Sequence, residues 1–534
     1  MKVMKNPIIR GFHPDPSIIR VKEDYYIATS TFEWFPGVCL YHSRDLEHWE
    51  QLPSPLNRIS QLDMKGNKSS AGVYAPCLSY DNGIYYLVYT DTKNHSGLFW
   101  DCHNYLVTAK DPAGEWSDPV ELNSSGFDPS LFHDKDGRKW LVNMTFDYRK
   151  GDIQKNYPLW SGIVLQEYDP ESRKLVGKSE IICKGTEIGT VEGPHLYYHD
   201  GYYYLLCAEG GTFEGHAVTL ARSRNIWGPY ETNPGNPILT SRNDCTLKLQ
   251  RAGHADIVEA HNGKWYMVYL CSRPLPSRGG SVMGRETAIQ EVQWNQAGWL
   301  ETVNGTGTPD EAFESGLKEE AYERKEFWNF HTKELPIGFQ TLRIPMKEYI
   351  RLDERPGYLR LYGRESLSSD HSNVMTARRQ EEFCFTAETK MEFQPQNYFQ
   401  MAGITYFYDT MNHFYLYISA DDDGKRVINL YHNDMGNYHF PMGREGIPIS
   451  DEGAVWLKMM VYYDRISFYW SLDGEKYEQA ADSLYCGDMT DEAYRRVSQE
   501  RFTGSFVGMA CQNCYEGDCY ADFEWFAYKQ GNKE

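Results

Sequence analysis

Three acidic residues stand at matching places in a pattern that the first part of the chain repeats. Asp15 lies in GFHPDPS, Asp128 in SSGFDPS and Glu192 in VEGPH. A single Asp-Pro pair would indicate no more than a turn. Carboxyl groups gathered near an apolar, aromatic-lined axis would differ in pKa, leaving one protonated near neutrality and able to act as an acid. Hydrolysis of a glycosidic bond needs such an acid together with a second carboxylate acting as base or nucleophile.

Five copies of a strand–turn–strand pattern would bring these acids together. The copies begin about 60 residues apart and run Asp15-PSIIRVKEDYYI, Ala75-PCLSYDNGIYYL, Asp128-PSLFHDKDGRKWL, Gly193-PHLYYHDGYYYL and Ala255-DIVEAHNGKWYM. A regular period of this size is typical of a β-propeller, in which equivalent positions of every blade converge on one axis. Asn-Gly and Asp-Gly pairs between the strands supply the positive φ of tight hairpins. The sequence therefore predicts an all-β fold that begins with a five-bladed β-propeller.

A second domain follows the repeats. Charge rises and the repeat stops over residues 310–335, so we predict a propeller over 1–318 and a further domain over 319–534. Beyond this point, segments such as AETKMEF alternate apolar and polar residues, as strands with one buried face do. An antiparallel, jelly-roll-like β-sandwich is the predicted architecture. One short helix is predicted within DMTDEAYRRVSQ.

The overall composition excludes several classes of partner. The formal net charge of −21 argues against nucleic acid and anionic membranes, both of which require a basic surface. No apolar run approaches the roughly 18 residues that a membrane-spanning helix needs. Aromatic residues make up 15% of the chain, which suits a neutral substrate held by ring faces and carboxylates.

The cysteines indicate a reducing compartment. The chain has 12 cysteines, scattered and often within strand-like apolar runs, which is typical of buried free thiols rather than a disulfide framework. The N-terminal stretch also lacks an apolar region of secretory type. These features predict a cytoplasmic protein. Cys511, Cys514 and Cys519 have the spacing of a metal knuckle but lack a fourth ligand nearby, so we expect no zinc there.

Long stretches of the chain resemble glycoside hydrolase family 43, and specifically its two-domain β-xylosidases. In the first domain the resemblance is carried by NPIIRGFHPDPSIIR, YYIATSTFEWFPGVCLYHSRDLEHW, SSGFDPSLFHDKDGRKWLVNM, EGPHLYYHDGYYYLLCAEGGT and PLPSRGGSVMGRETAIQEV. In the second domain it is carried by PGYLRLYGRESLSS, QMAGITYFYD and FTGSFVGMACQ, which look like the C-terminal sandwich of the same enzymes. The likeness covers nearly the whole chain.

The resemblance implies a role for each acidic residue. Asp15 becomes the general base, which takes a proton from the attacking water, and Glu192 becomes the general acid on the leaving oxygen. Asp128 becomes a third carboxylate, which positions the acid and raises its pKa by repulsion. Enzymes of this kind invert the anomeric centre in one displacement. The expected activity is exo-acting β-xylosidase, which releases xylose from the non-reducing end of xylo-oligosaccharides.

The resemblance also implies a set of sugar-binding residues. Arg285 matches an arginine that contacts a sugar hydroxyl, with a structural ion pair to Glu286 as the alternative. Further pocket positions are Phe32, Trp34, Tyr74, Ala75, Phe127, Cys207, Thr212 and, from the sandwich, Phe502, with Phe506 as its alternative. At Tyr74 the family usually has Trp, so the pocket shape departs from the family pattern there. For each aromatic residue, core packing is the competing explanation.

His254, in AGHAD, matches a residue that lies under the substrate in the family and in some members reaches a calcium ion through water. A hydrogen-bonded core histidine is the alternative. We therefore expect no required cofactor, with calcium at His254 as the one metal that the resemblance allows. It also implies a homo-oligomer, with a tetramer as the candidate state.

Two other functions compete with β-xylosidase. An α-L-arabinofuranosidase, alone or as a second activity, is the first, because the two sugars present similar hydroxyl geometry to a small pocket. A non-catalytic sugar-binding protein on the same scaffold is the second, but the loss of a carboxylate would be its signature. All three carboxylates are present, so the sequence favours the xylosidase.

Overall fold

The computed structural model describes residues 3–154, 156–277, 279–321 and 323–531. Residues 1 and 2, part of the stretch used to predict the location, lie outside these ranges. Within them the regular elements are β-strands and a single α-helix, Asp491–Arg496. The fold is all-β, as predicted, and the helix falls inside the predicted segment. That helix is six residues long, and no described helix has the length and apolar character needed to cross a membrane.

The chain divides into two compact units that exchange short segments. The first contains Met1–Leu62, Ala71–Arg273 and Arg285–Tyr322, and the second contains Asp63–Ser70, Pro274–Gly284 and Glu323–Glu534. The prediction of two continuous stretches did not include this exchange. Its physical reason is visible at Leu275 and Val282, whose buried side chains pack with Phe383 and Tyr463 of the second unit.

The first unit is built from five antiparallel sheets that follow one another along the chain, here called blades 1 to 5. Blade 1 contains Ser17–Val21, Asp24–Thr29, Cys39–Ser43 and Glu50–Leu52, and blade 2 contains Gly72–Asp81, Ile84–Asn94, Asp101–Ala109 and Val120–Asn123. Blade 3 contains Ser130–His133, Lys139–Asp152, Tyr157–Asp169 and Lys174–Cys183, and blade 4 contains Glu192–His199, Tyr202–Glu209, Ala217–Ser223 and Glu231–Thr232. Blade 5 contains Gln250–Glu259, Trp265–Ser272, Glu286–Trp294 and Leu300–Thr302. Short strands Leu239–Thr240 and Trp34–Phe35 lie in the same unit. The five predicted copies each form the first two strands of one blade.

The first strands of the blades form a closed ring, since each one contacts the first strands of both neighbouring blades. The N-terminal segment is held against blade 5, because Met4–Lys5 pairs with Ala312–Phe313 and the backbone of Ile9 bridges to Thr287. This arrangement is a five-bladed propeller, and the prediction from the repeat is confirmed.

The second unit is a pair of antiparallel sheets around one apolar core, which confirms the predicted sandwich. One sheet has the order Ile350–Arg351, Leu359–Tyr362, Tyr520–Gln530, Cys384–Phe393, Val455–Tyr462, Arg465–Ser471 and Glu478–Tyr485, with Phe327–Trp328 also on Tyr520–Gln530. The other has the order Val374–Arg379, Phe506–Asn513, Gln400–Asp409, Asn412–Ala420, Arg426–Asp434 and Asn437–His439, with Ile447–Pro448 also on Arg426–Asp434. In Cys384–Phe393 buried and half-buried residues alternate, as the pattern predicted.

Candidate active site

The five blades present equivalent residues to the propeller axis through an unusual backbone conformation. At the matching position of each blade, just before or within the inner strand, one residue has a positive φ: 56° at Asp15, 29° at Ala75, 55° at Asp128, 56° at Gly193 and 45° at His254. A non-glycine residue pays a conformational cost there, and such strain concentrates at functional sites. In blade 5 the equivalent position is His254, one residue before the Ala255 chosen from the repeat.

Asp15 is held as a buried anion. Its Oδ1 accepts a hydrogen bond from Arg285 Nη1 at 2.9 Å, and its Oδ2 accepts one from Ser30 Oγ at 2.6 Å. Burial acts to raise the pKa of Asp15, but the charge of Arg285, with smaller effects from His254 and the Ser30 hydroxyl, outweighs it. The pKa therefore lies below the ordinary value for aspartate, and Asp15 is ionised at neutral pH. An ionised carboxylate is what a general base requires.

The surroundings of Glu192 shift its pKa in the opposite direction to that of Asp15. Glu192 is buried at the start of the first strand of blade 4, where its Oε2 accepts a hydrogen bond from Trp160 Nε1 at 3.2 Å. Burial raises the pKa of Glu192, the Trp160 hydrogen bond partly opposes this, and the charge of Asp15 adds to the rise, so that the pKa is about 7. Glu192 thus keeps its proton through the acidic range and up to neutrality, as a general acid must.

Asp128 and His254 lie next to these two carboxyls. Asp128 Oδ2 accepts a hydrogen bond from the backbone N–H of Gly193, next to Glu192, and His254 Nδ1 lies 3.8 Å from Asp15 Oδ1 and 3.9 Å from Asp128 Oδ2. Burial and repulsion by Glu192 raise the pKa of Asp128. Because Asp128 and Glu192 lie close together in a buried place, the ionisation of either one makes the ionisation of the other less favourable.

The glycine at 193 is required by this packing. A Cβ at Gly193 would lie 2.9 Å from His254 Cε1, and its φ is in the left-handed region. The imidazole therefore occupies the space that any side chain at 193 would need.

Arg285 forms a buried ion pair with Asp15. Glu286, the alternative partner, instead accepts hydrogen bonds from Arg273 Nε at 2.7 Å and Arg273 Nη2 at 2.8 Å. The Arg285 guanidinium also lies over the ring of Phe32, with 5.1 Å between its carbon and the ring centre. The ion pair with Asp15 places Arg285 at the carboxylate site, and its contact with a sugar hydroxyl stays a prediction.

Three of the predicted aromatic residues line one side of the site. The ring centres of Phe32 and Tyr74 are 4.6 Å apart, and those of Tyr74 and Phe127 are 6.0 Å apart with the rings at 81°. The backbone N–H of Ala75 donates to Ser30 Oγ at 2.7 Å, so Ala75 helps to hold the hydroxyl that binds Asp15. These residues are brought together with the carboxylates, while their contacts to sugar stay predictions.

The other four predicted pocket residues lie in different surroundings. Trp34 has 0% of its surface exposed, which fits packing better than direct contact with a sugar. Cys207 is buried within Tyr202–Glu209, and Thr212 is half-buried in the turn after that strand. Phe502 belongs to the second unit, where its backbone N–H donates to Ser70 Oγ at 2.9 Å. The pocket roles of these four residues stay predictions.

The structure adds two residues that the sequence did not single out. Ser30 follows the aromatic strand of the first copy and donates to Asp15, and Trp160 lies in the third strand of blade 3 and donates to Glu192. Ser30 lies within the YYIATST strand segment, but Trp160 belongs to no repeated position. Its only signal is an aromatic run in NYPLWSG.

The hydrogen bond from Trp160 leads to a pH prediction. Trp160→Phe keeps a ring but removes the N–H that stabilises ionised Glu192, so the pKa of Glu192 should rise further above about 7. The alkaline fall in kcat/KM should then move to higher pH by about one pH unit, the size expected for a hydrogen bond to a charged group.

The control is Trp100→Phe, measured on the same substrate over the same pH range. Trp100 lies in the same aromatic cluster, at 5.6 Å from Trp160 between ring centres, but its Nε1 has no hydrogen-bond partner in the described part of the chain. An alkaline limb that is identical in wild type and Trp160→Phe would contradict the role of the indole.

The described residues do not fit a directly bound calcium ion. Calcium takes about six to eight oxygen ligands, whereas His254 offers a nitrogen, and burial lowers its pKa to about 4 so that it is neutral. Within residues 3–154, 156–277, 279–321 and 323–531, no group of three or more His, Cys, Asp or Glu is arranged to hold a metal. Among the knuckle-like cysteines, Cys511 and Cys519 are buried and Cys514 is exposed.

The comparisons with known proteins cover both units. The model described as "Glycosyl hydrolases family 43" matches residues 4–300, and that described as "Beta xylosidase C-terminal Concanavalin A-like domain" matches residues 328–529. A Humicola insolens protein named "Xylosidase/arabinosidase 43B" is 46% identical over 99% of this chain and 98% of its own. A Bacillus subtilis "Beta-xylosidase" is 44% identical over 98% and 99%. The crystal structure of xylan beta-1,4-xylosidase from Bacillus halodurans C-125 is 50% identical with a TM-score of 0.95, covering 99% of this chain and 100% of that one.

Proposed function

The chain belongs to glycoside hydrolase family 43, and from that membership we propose that it is an exo-acting, inverting β-xylosidase. Its substrate would be a short xylo-oligosaccharide, from which it removes the xylose at the non-reducing end. The names of the relatives and of the solved structure support a xylosidase, since all three include that activity. The covered lengths show that the resemblance includes both units.

The reaction follows from the two carboxyls. Asp15 takes a proton from a water molecule as the water oxygen bonds to the anomeric carbon from the face opposite the leaving group. Glu192 gives its proton to the glycosidic oxygen while the bond from that oxygen to the anomeric carbon breaks. The configuration inverts in this single step, which requires the two carboxyl groups to be about 6.5–9.5 Å apart with a water between them. Asp128 and His254 hold the neighbouring backbone and charges in place.

One observation carries the assignment of acid and base. Two buried carboxyls in the same site have pKa values shifted in opposite directions. The charge of Arg285 is the main cause that lowers the pKa of Asp15, whereas burial raises the pKa of Glu192 to about 7. Such a divergence is how one site provides a base and an acid at the same pH. A sugar-binding protein without activity has no need of two carboxyls with divergent pKa values, so hydrolysis is the better explanation of the site.

An arabinofuranosidase activity is the second candidate, favoured by the double name of the Humicola relative. The test compares kcat/KM on 4-nitrophenyl β-D-xyloside and 4-nitrophenyl α-L-arabinofuranoside. We expect the xyloside to be preferred by about tenfold or more, the effect of a difference of about 1–3 kcal/mol in one pocket. Equal values would establish a bifunctional enzyme, and a reversed preference would overturn the proposal.

The cytoplasmic location and the homo-oligomeric state stay predictions. Twelve free cysteines support a reducing compartment, which cell fractionation can test. Light scattering measures the oligomer directly, with a protomer mass of 61.9 kDa as the reference.

A further inference from the structure

A cluster of aromatic side chains extends from the carboxylates toward solvent on two neighbouring hairpins. The first hairpin joins Ile84–Asn94 to Asp101–Ala109 in blade 2, and the second joins Lys139–Asp152 to Tyr157–Asp169 in blade 3. Both turns lie at the end of the blade where the inner strand begins, which is also where Asp128 lies. The cluster therefore borders the active site.

The inner part of the cluster is organised around a buried ring. Trp100 lies 6.0 Å from Phe127, 5.7 Å from Phe146 and 5.6 Å from Trp160, measured between ring centres. Trp160 also stacks on Tyr157 at 5.0 Å and 12°. This packing fixes the rings nearest the carboxylates.

The outer part of the cluster reaches solvent. Phe146 stacks with Tyr148 at 6.1 Å, and Tyr148 lies 5.0 Å from Phe99, whose surface is 63% exposed. We call Phe146, Tyr148 and Phe99 the aromatic strip. An exposed apolar surface that continues a buried aromatic cluster marks a binding surface more often than a random surface residue does.

The strip is held in place by contact between the two hairpins. A Cβ added at Gly151 would lie 2.6 Å from Leu98 Cδ1, and one added at Gly97 would lie 3.3 Å from Asn156 Nδ2. The two loops therefore contact each other through the side chains of Leu98 and Asn156. This contact reduces the freedom that the loops carrying the strip would lose on binding a ligand.

The general acid determines on which side of the substrate the strip lies. Glu192 must face the leaving oxygen, and Trp160, which belongs to the inner cluster, donates its N–H to Glu192. An exo-acting enzyme keeps one sugar in the pocket and leaves the rest of the chain on the leaving side. The strip therefore runs from the leaving oxygen outward, along the path that the remaining sugars must take.

We propose that the aromatic strip is a binding subsite for the second sugar on the leaving side, the third xylosyl unit of a xylo-oligosaccharide. The apolar face of that pyranose would lie on Phe99 and Tyr148, while its hydroxyls stay in water. The inference rests on the proposed function and adds to it a preference for oligosaccharides of three or more units over the disaccharide.

The test measures kcat/KM on xylobiose and xylotriose for the wild type, Phe99→Ala and Tyr148→Ala. Xylobiose ends at the first leaving-side sugar, so its value should fall less than twofold. For xylotriose we expect a loss of about tenfold in each variant, since each removes one face of an aromatic contact. The xylotriose-to-xylobiose ratio is the readout, because a merely structural defect lowers both values together.

Two further variants make the outcome decisive. Phe99→Tyr keeps the ring and should keep the wild-type ratio even if the alanine variants fold poorly. Tyr80→Ala removes an aromatic residue that is 37% exposed at the opposite end of blade 2, and should leave the ratio unchanged. A ratio unchanged in both alanine variants, or lost equally in Tyr80→Ala, would overturn the subsite. Wild-type protein that cleaves neither substrate would instead overturn the proposed function, and this inference with it.

Discussion

Glu192→Gln should lower kcat/KM on xylobiose by about a thousandfold or more, within the range that a positioned general acid supplies. The amide keeps the size of the carboxyl but has no acidic proton, so the glycosidic oxygen would leave as an alkoxide. The loss should be much smaller on aryl xylosides whose phenols are strong acids, because such leaving groups need little protonation. A series of aryl β-xylosides with phenols of increasing pKa measures this dependence directly.

Glu187→Gln is the matched control for Glu192→Gln. It makes the same replacement of a carboxyl by an amide at an exposed residue of the loop that leads to Glu192, and should leave the hydrolysis of all substrates unaffected. A loss in Glu192→Gln that is equal for strong and weak leaving groups would contradict the role of Glu192 as the acid.

Asp15→Asn should lower kcat/KM by about 10⁴-fold, at the upper end of acid–base effects, on every substrate regardless of its leaving group. The reason is that the base acts on the attacking water, which is common to all substrates. The amide oxygen of asparagine can still accept the hydrogen bond from Arg285, and its NH2 group can donate to Ser30 Oγ, so the fold should persist. The same aryl series separates this uniform loss from the graded loss of Glu192→Gln.

The matched control for Asp15→Asn is Asp200→Asn, at a turn residue whose side chain is 88% exposed. It removes one carboxylate from the propeller without touching the site, and should retain wild-type activity and thermal stability. Activity of Asp15→Asn within tenfold of the wild type would show that another group activates the water.

Much of the fold could be predicted because the propeller repeats its local chemistry. Each copy places an apolar inner strand, a turn with positive φ and an aromatic second strand at fixed offsets, so one pattern predicts all five blades. Turn residues show this plainly: Asn82 and Gly83 have φ values of 49° and 83°, as an Asn-Gly hairpin requires. The same repeat placed Asp15 and Asp128 at equivalent positions.

The partners of the carboxylates were harder to predict, because they come from distant parts of the chain. Arg285 and Asp15 are 270 residues apart, and nothing local decides whether Arg285 pairs with Asp15 or with Glu286. Trp160 reaches Glu192 from another blade, at a position that the repeat does not mark. The segments 63–70 and 274–284 join the second unit through packing that no local pattern encodes.

The most direct test of the central claim, that buried Glu192 supplies the catalytic proton, is the pH dependence of kcat/KM in wild type and Glu192→Gln. An aryl xyloside with a phenol of intermediate pKa serves as substrate, because its cleavage still depends on protonation of the leaving oxygen and yet stays measurable in the variant. Glu192 must be protonated to act, so wild-type activity should fall as pH rises through about 7, while ionised Asp15 sustains it down to below the ordinary aspartate pKa. The variant should lack the alkaline fall. The same alkaline fall in Glu192→Gln would assign the catalytic proton to another group and contradict the account.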